Sequence, residues 1–185
     1  YILKTNYQLN EYDINKIDKK FFVESEKLLP KNNYVGLSIT QGNVYRKKEW
    51  PLNNIVELCN KLIQNNKTPV FFIEKNNHEL INKIKNMVPS ALFPEYETNF
   101  SSSALVTCLG KRLDYVVSID NGVMHMLSLS KVPMIVLFGP TDSGKFAPDY
   151  KNSIVLDSKK LHNTKNVSSI TVKDVLNAAK QHLNY

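Results

Sequence analysis

The sequence lacks any apolar run long enough to cross a bilayer, and no charged-then-apolar leader ending in small residues is visible. Neither a membrane helix nor a signal peptide is therefore expected, and we predict a cytoplasmic protein. Cysteine is also scarce, because Cys59 and Cys108 are the only two. Each lies in a predicted helix with an apolar face, so we expect buried, reduced thiols rather than a disulfide framework.

The sequence also lacks the motifs of several kinds of cofactor chemistry. It contains no Asp-x-Asp, no cysteine and histidine spacing suited to a metal, and no Walker-type glycine-lysine loop. We therefore expect no metal and no other cofactor. Internal repeats and low-complexity tracts are absent as well, which excludes repeat architectures.

A formal net charge of +7 arises from 24 lysines and arginines against 17 acidic residues. Such a balance favours nucleic acids, anionic lipid surfaces or phosphorylated substrates. The lysines are scattered, however, and no nucleic-acid reader motif accompanies them. We therefore predict no nucleic-acid partner and interpret most lysines as solvated surface. Only Arg46, Lys47 and Lys48 form a tight cluster.

The length of 185 residues suits one domain with a tail. Residues 1–16 are polar, and an apolar stripe over 17–29 predicts a helix that Pro30 ends. We therefore divide the chain into a linker and bracing helix, 1–32, and a domain, 33–185. Since the chain begins with Tyr1 rather than Met, we expect a fragment of a longer protein.

Apolar runs alternate with helical stripes along the rest of the chain, a pattern typical of βαβ units with right-handed crossovers. The sequence therefore predicts an α/β fold with a doubly wound, Rossmann-like parallel sheet. Helices are predicted at 76–87, with Met87 in the buried stripe, at 101–112 with Ser101 or Ser102 as cap, and in three segments that begin at Pro51, Gly122 and Thr171. The predicted strands are 34–40, 68–73, 90–93, 115–119, 134–138 and 153–156.

The segment 114–142 organises the chain, because two near-continuous apolar runs flank one short helical segment. Asp120, Asn121 and Gly122 form the turn between strand and helix, and Val123, Met126 and Leu127 share a predicted helix face. Parallel sheets bind ligands at such strand ends, and a helix amino terminus attracts anions. An ordinary turn with Asp120 as the helix cap is about equally compatible with the spacing.

The same segment resembles a known family. The run 120–125, Asp-Asn-Gly-Val-Met-His, followed by Phe-Gly-Pro-Thr-Asp at 138–142, is similar to the donor-site signature of the ADP-heptose:lipopolysaccharide heptosyltransferases. Lys-Glu-Trp-Pro at 48–51 resembles the family's Lys-x-Trp-Pro, and the resemblance covers residues 33–183. It implies the carboxyl-terminal half of a glycosyltransferase B fold, which binds a nucleotide sugar.

The resemblance also implies roles for individual residues. Lys48 is expected to bind the donor phosphates, and Thr40 to donate its hydroxyl to them. Glu79 stands where the family contacts the ribose, and Phe100 and Ser101 lie in the stretch that lines the adenine pocket. The remaining expected donor-binding residues follow the central strand and are Asp120, Asn121, Gly122, Val123 and His125.

Structural alternatives accompany these assignments. Lys48 is otherwise a solvated lysine, Glu79 an exposed helix residue and Phe100 a core residue, and His125 is expected to contact donor or acceptor rather than to abstract a proton. Asp142 is predicted to fix its loop through an Asx turn.

At the level of function, the resemblance implies the donor-binding half of an inverting glycosyltransferase. Its substrates would be an ADP-sugar such as ADP-heptose and a lipopolysaccharide core acceptor at the cytoplasmic face of the inner membrane. No catalytic residue is expected within this chain, since the family's acidic general base lies in the amino-terminal domain. The alternative is a non-catalytic nucleotide-binding domain or a degenerate relative, because Glu74, Lys75, Asn76 and Asn77 replace the family's glycines.

Overall fold

The computed structural model describes residues 13–41, 45 and 48–182. Its framework is a sheet of five parallel strands in the order β2-β1-β3-β4-β5. All side chains of β1, β3 and β4 are buried, because helices cover both faces of the sheet. The strands are β1 Tyr34–Ser38, β2 Thr68–Phe71, β3 Tyr115–Ile119, β4 Met134–Phe138 and β5 Ser153–Asp157. The predicted doubly wound parallel sheet is thus confirmed.

Helices connect successive strands and form two layers. The helices are α1 Lys19–Leu28, α2 Leu52–Gln64, α3 His78–Met87, α4 Ser103–Gly110, α5 Gly122–Ser128, α6 Ser143–Phe146, α7 Ser158–His162 and α8 Val172–His182. Apolar residues of α2, α3 and α8 pack on one face of the sheet. Those of α4 and α5 pack on the other face, together with Phe21 and Leu28 of α1 and the following Leu29.

Both cysteines are buried and free, as the sequence predicts. Cys59 lies in α2 and Cys108 in α4. Burial raises the pKa of the Cys59 thiol to about 12 and that of Cys108 to about 11. Each thiol is therefore protonated and serves as a small apolar group in the core.

Several predicted element boundaries are wrong. The strand expected over 90–93 is reduced to a single parallel bridge between Leu92 and Val70 at the edge of the sheet. The helix expected over 101–112 begins only at Ser103, because Ser102 is its cap and accepts a hydrogen bond from the Leu105 N–H at 3.2 Å. Met87 was expected in the core but is 39% exposed.

The apolar side chains of α5 are buried to different degrees. Met124 and Leu127 are fully buried, whereas Val123 and Met126 are half-buried and line a cavity. Val123, Met126 and Leu127 pack against one core cluster, as a shared helix face predicts, and Met124 joins them. The two half-buried side chains are therefore available to a ligand.

The two ends of the described chain pack against the domain. Leu29, just after α1, is buried, and its carbonyl accepts a hydrogen bond from Arg112 Nε at 3.0 Å. At the other end, Thr171 and Asp174 form the predicted capping box: the Asp174 N–H donates to Thr171 Oγ1 at 3.1 Å and the Thr171 N–H to Asp174 Oδ2 at 2.8 Å. Residues 1–12 of the predicted linker and Leu183 lie outside the described residues.

Candidate functional site

The strand order places a topological switch point between β1 and β3. From β1 the chain crosses to β2 on one side, whereas β3 leads to β4 and β5 on the other. Open α/β sheets bind ligands in the crevice beyond the carboxyl ends of the two strands at such a point. Thr40 follows β1 there, and Asp120, Asn121 and Gly122 follow β3. The fold therefore assembles these four predicted donor residues at the switch point.

Asn121 joins the two strand ends. Its side-chain oxygen accepts a hydrogen bond from the Met124 N–H at 2.8 Å, which makes Asn121 the cap of α5. Its amide nitrogen donates to Ser38 Oγ and to the Thr40 carbonyl, each at 2.8 Å. The alternative with Asp120 as the cap is therefore wrong. The side chain of Asn121 thus fixes the turn between the two strand ends.

Asp120 and Lys48 form an ion pair at the switch point. Lys48 Nζ donates to Asp120 Oδ2 at 2.5 Å and to the Asp120 carbonyl at 3.1 Å. The side chains are only 12% and 8% exposed, respectively. Lys48 is therefore not a solvated lysine. An ammonium carries three donors, so two bonds to Asp120 leave one N–H for an anion.

Trp50 anchors the segment that carries Lys48. Its side chain is buried, and Nε1 donates to the Ile170 carbonyl at 2.8 Å. The Lys48 N–H in addition donates to Gln41 Oε1 at 2.9 Å. These bonds fix the backbone on either side of the lysine. Arg46 and Lys47, which also belong to the basic cluster, lie outside the described residues.

Thr141 supports Asp120 from the loop after β4. Its hydroxyl donates to Asp120 Oδ2 at 2.7 Å, and its own carbonyl accepts from Lys159 Nζ at 2.5 Å. Asp142 caps α6 by accepting from the Gly144 N–H at 2.9 Å, so the predicted Asx turn is confirmed. Through Thr141, the Phe-Gly-Pro-Thr-Asp motif thus orients the Asp120 carboxylate that pairs with Lys48.

Thr141→Val is expected to lower the free energy of unfolding by about 1–2 kcal/mol, because it removes one hydrogen bond from a buried carboxylate while conserving volume. Thr141→Ser keeps the hydroxyl and should lose less than half as much. Urea unfolding of the two variants measures the difference. No loss in Thr141→Val, together with a clear loss in Thr141→Ser, would show that the hydroxyl bond to Asp120 contributes nothing and that only the methyl group matters.

A cavity of about 380 Å³ opens beside this turn. Its lining residues come from the ends of β1 and β2, from the segment between α3 and α4, and from α4 and α5. They are Thr40, Glu74, Glu95, Ser101, Ser102, Ser103, Val106, Asn121, Gly122, Val123 and Met126. A second cavity of about 540 Å³ shares Thr40 and Glu74 with the first and continues toward α3. Apolar and polar groups therefore face a common space at the switch point.

Five predicted site residues lie outside both cavity linings: Lys48 and Asp120, which form the ion pair at the switch point, and three that stand apart from it. Glu79 is exposed in the first turn of α3, and His125 is exposed on α5. Phe100 is 47% exposed, so it is neither a core residue nor part of the cavity wall. The structure thus brings together Thr40, Lys48 and the turn residues after β3, with Ser101 at the cavity wall. Glu79, Phe100 and His125 lie apart from this group.

Two carboxyl groups in the cavity wall were missed by the sequence analysis. Glu74 lies in the segment that follows β2, and Thr40 Oγ1 donates to its Oε1 at 3.4 Å. Burial, together with the charge of Glu74, raises the pKa of Glu95 to about 7. The rule that ligands gather at strand ends would have identified Glu74. No local pattern indicates Glu95, which lies in an irregular segment.

Two kinds of feature are absent from the part of the chain that the structure describes. Within it, no cluster of three or more His, Cys, Asp and Glu side chains has the geometry of a metal site. No helix there has the length and apolar character needed to cross a membrane.

Residues 3–175 match the family described as glycosyltransferase family 9 (heptosyltransferase). The chain belongs to this family. The match begins upstream of the resemblance found by motif and includes the segment of α1. A curated relative, lipopolysaccharide heptosyltransferase 1 of Campylobacter coli, is 24% identical over 204 residues, which cover 98% of this chain and 59% of the relative.

Solved structures of family 9 proteins share the fold. A family 9 glycosyltransferase from Veillonella parvula superposes with a TM-score of 0.77 at 18% identity, covering 91% of this chain and 53% of that one. ADP-heptose lps heptosyltransferase II of E. coli gives 0.72 at 18% identity, with the same coverage of 91% and 53%. E. coli heptosyltransferase WaaC with ADP gives 0.69 at 18% identity, covering 85% and 48%. This family 9 chain thus spans about half the length of these solved relatives.

Proposed function

We propose that this family 9 chain is the donor-binding half of an inverting glycosyltransferase and that its donor is an ADP-sugar such as ADP-heptose. The observation that carries the proposal is the Lys48–Asp120 pair at the switch point, beside a cavity of about 380 Å³. Two of the similar structures are E. coli heptosyltransferase WaaC with ADP and with ADP-2-deoxy-2-fluoro heptose. The nucleotide in these two relatives supports the choice of ADP for this chain.

The chemistry of such a transfer requires stabilisation of a leaving diphosphate. Lys48 supplies a positive charge that Asp120, Trp50 and Gln41 hold in place through the bonds described above. Since the lysine is oriented before the ligand arrives, little reorganisation is needed as negative charge develops on the leaving group. Gly122 lies at the cavity surface, where a phosphate approaches the backbone without meeting a side chain.

The nucleoside part of the donor fits the other end of the cavity. Val106, Val123 and Met126 offer an apolar surface for a flat base. Glu74, rather than Glu79, is the carboxylate that the structure places in the wall, so we assign the ribose hydroxyls to Glu74. The donor would then lie with its phosphates toward Lys48 and its base toward α4.

The acceptor and the general base belong to the remainder of the enzyme in this proposal. An acceptor hydroxyl needs a base within hydrogen-bond reach, and we assign that role to an acidic residue in the other half of a full-length family 9 protein. The acceptor is a lipopolysaccharide core sugar at the cytoplasmic face of the inner membrane. This chain then binds donor but does not transfer sugar by itself.

Calorimetric titration of the 185-residue chain with ADP-glucose, UDP-glucose and GDP-mannose tests the donor assignment. We expect saturable binding of ADP-glucose and at least about tenfold weaker binding of the other two, a difference of about 1.4 kcal/mol. ADP-glucose shares the adenosine diphosphate of the proposed donor and is stable during titration. Absence of ADP-glucose binding at millimolar concentration contradicts the proposal.

A non-catalytic nucleotide-binding role is the second candidate, and one observation favours it. Glu79, which matches the family's ribose ligand by sequence, is exposed outside both cavities. A full-length protein that binds ADP-glucose and yet transfers no sugar to a lipopolysaccharide core acceptor would support this second role. Transfer by the full-length protein would exclude it.

A further inference from the structure

Glu95 lies in the irregular segment between α3 and α4, outside every motif that the family resemblance uses. Its side chain is half-buried and lines the same cavity as Glu74, Val106 and Gly122. It therefore faces the space into which a nucleotide sugar, with its anionic diphosphate, has to enter. An ionised Glu95 would bring a second carboxylate charge next to Glu74 in that space.

The surroundings of Glu95 favour its neutral form. Burial is the main reason that its pKa rises to about 7, and repulsion by Glu74 is the second. A neutral carboxyl group both donates and accepts a hydrogen bond, whereas a carboxylate only accepts. The edge of adenine offers a ring nitrogen that accepts beside an amino group that donates, so a neutral carboxyl group matches it with two bonds.

The other charged and titratable groups near this segment form hydrogen bonds with Thr98 or contact the Tyr96 ring. Lys75 Nζ donates to the Thr98 carbonyl at 2.8 Å, and the Thr98 hydroxyl donates to Glu24 at 2.7 Å. His78 lies edge-on to the Tyr96 ring at 5.9 Å, and Lys85 Nζ is 4.8 Å from the centre of the same ring. Helix α4 carries no charged side chain, and His125 of α5 is exposed away from the cavity lining.

We propose that Glu95 is a specificity-determining residue of the donor cavity, where its neutral carboxyl group binds the nucleobase and its ionised form excludes the anionic donor. The inference rests on the proposed function of this cavity as the donor site. Donor binding then requires one proton on the Glu74–Glu95 pair. The position of Lys48 alone does not imply this requirement. The nucleotide and the proton bind together.

The direction of the pH dependence follows from this linkage. Below about pH 7 Glu95 is neutral and donor affinity is at its maximum. Above that pH the group ionises before the donor binds, so the dissociation constant should rise about tenfold for each pH unit. ADP-glucose is a suitable probe because its diphosphate is esterified at both ends and does not titrate in this range.

The experiment is calorimetric titration with ADP-glucose at about pH 6 and about pH 8. For the parent chain we expect the dissociation constant to rise about tenfold between these values. Glu95→Gln imitates the neutral carboxyl group and should bind with a constant that is nearly the same at both pH values. Glu97→Gln, an exposed neighbour outside the cavity lining, should keep the full pH dependence of the parent.

Glu74→Gln provides an independent check on the pair. Because it removes the repulsive charge, the pKa of Glu95 should fall, and the loss of affinity should begin at a lower pH than in the parent. The Gln variant at position 95 also separates the effect of Glu95 from that of any other titratable group. A parent-like pH dependence in Glu95→Gln would assign the effect to another group and overturn the inference.

The outcomes also separate this inference from the proposed function. If the parent binds ADP-glucose with the same constant at both pH values, the role of Glu95 is wrong and the donor site stands. If neither the parent nor Glu95→Gln binds at any pH, the donor site itself is wrong. A tenfold rise in the parent that disappears in Glu95→Gln and remains in Glu97→Gln supports both.

Discussion

Lys48→Ala is expected to lower the free energy of unfolding by about 3–5 kcal/mol, in addition to weakening donor binding. The lysine matches a family phosphate ligand, and a ligand on a surface loop would contribute little to stability. The structure shows a different situation, since both members of the Lys48–Asp120 pair are largely buried. Removal of the lysine leaves a buried carboxylate whose remaining hydrogen-bond partner among the described residues is the Thr141 hydroxyl.

A double-mutant cycle measures how much of this loss belongs to the pair. Asp120→Ala alone leaves a buried ammonium, and the double variant leaves neither charge, so it should be less destabilised than the sum of the single variants. Lys20→Ala is the matched control, because Lys20 pairs with Asp18 while both side chains are more than half exposed. That control should cost at most about 1 kcal/mol in urea unfolding. If Lys48→Ala lowers the free energy of unfolding no more than Lys20→Ala does, the Lys48–Asp120 pair is not buried in solution.

The sheet could be predicted from sequence because its signals are local. The runs 115–119 and 134–138 are apolar throughout, and such runs are typical of parallel strands covered on both faces. The strand expected over 90–93 was also predicted from a local pattern, but in the structure only Leu92 pairs with β2. Edge pairing depends on the sheet rather than on the segment.

The sequence identified several residues of the candidate site but not the contacts between them. Asp120 and Lys48 were each identified through motifs, yet their ion pair joins positions 72 residues apart and has no sequence signature. Asn121 shows the same limit, because its bonds to Ser38 and Thr40 span more than 80 residues. Glu95 could not be predicted, since its environment arises only when α4, α5 and the end of β2 meet.

Gly122→Val is expected to abolish most donor binding while leaving the fold intact. A glycine that follows a strand often has a positive φ, and a side chain there would then strain the fold as well as block the ligand. Among the described residues no glycine has a positive φ, and a Cβ placed at Gly122 meets no atom within 4 Å apart from its chain neighbours and the backbone of its own helix. A side chain there is therefore tolerated by the protein and extends into the space that the donor phosphates need.

The expected loss of affinity for ADP-glucose is about 100-fold, or about 2.7 kcal/mol, since the valine prevents close approach of a phosphate to the backbone. Gly122→Ala should lose less, because it adds a single methyl group. Gly144→Ala, at an exposed glycine outside the cavity, should bind like the parent. Thermal unfolding of all three variants should stay within a few degrees of the parent, which establishes that any loss of binding is local. If Gly122→Val binds ADP-glucose as tightly as the parent, the phosphates do not approach the turn after β3, and Lys48 would have to bind them from its other side.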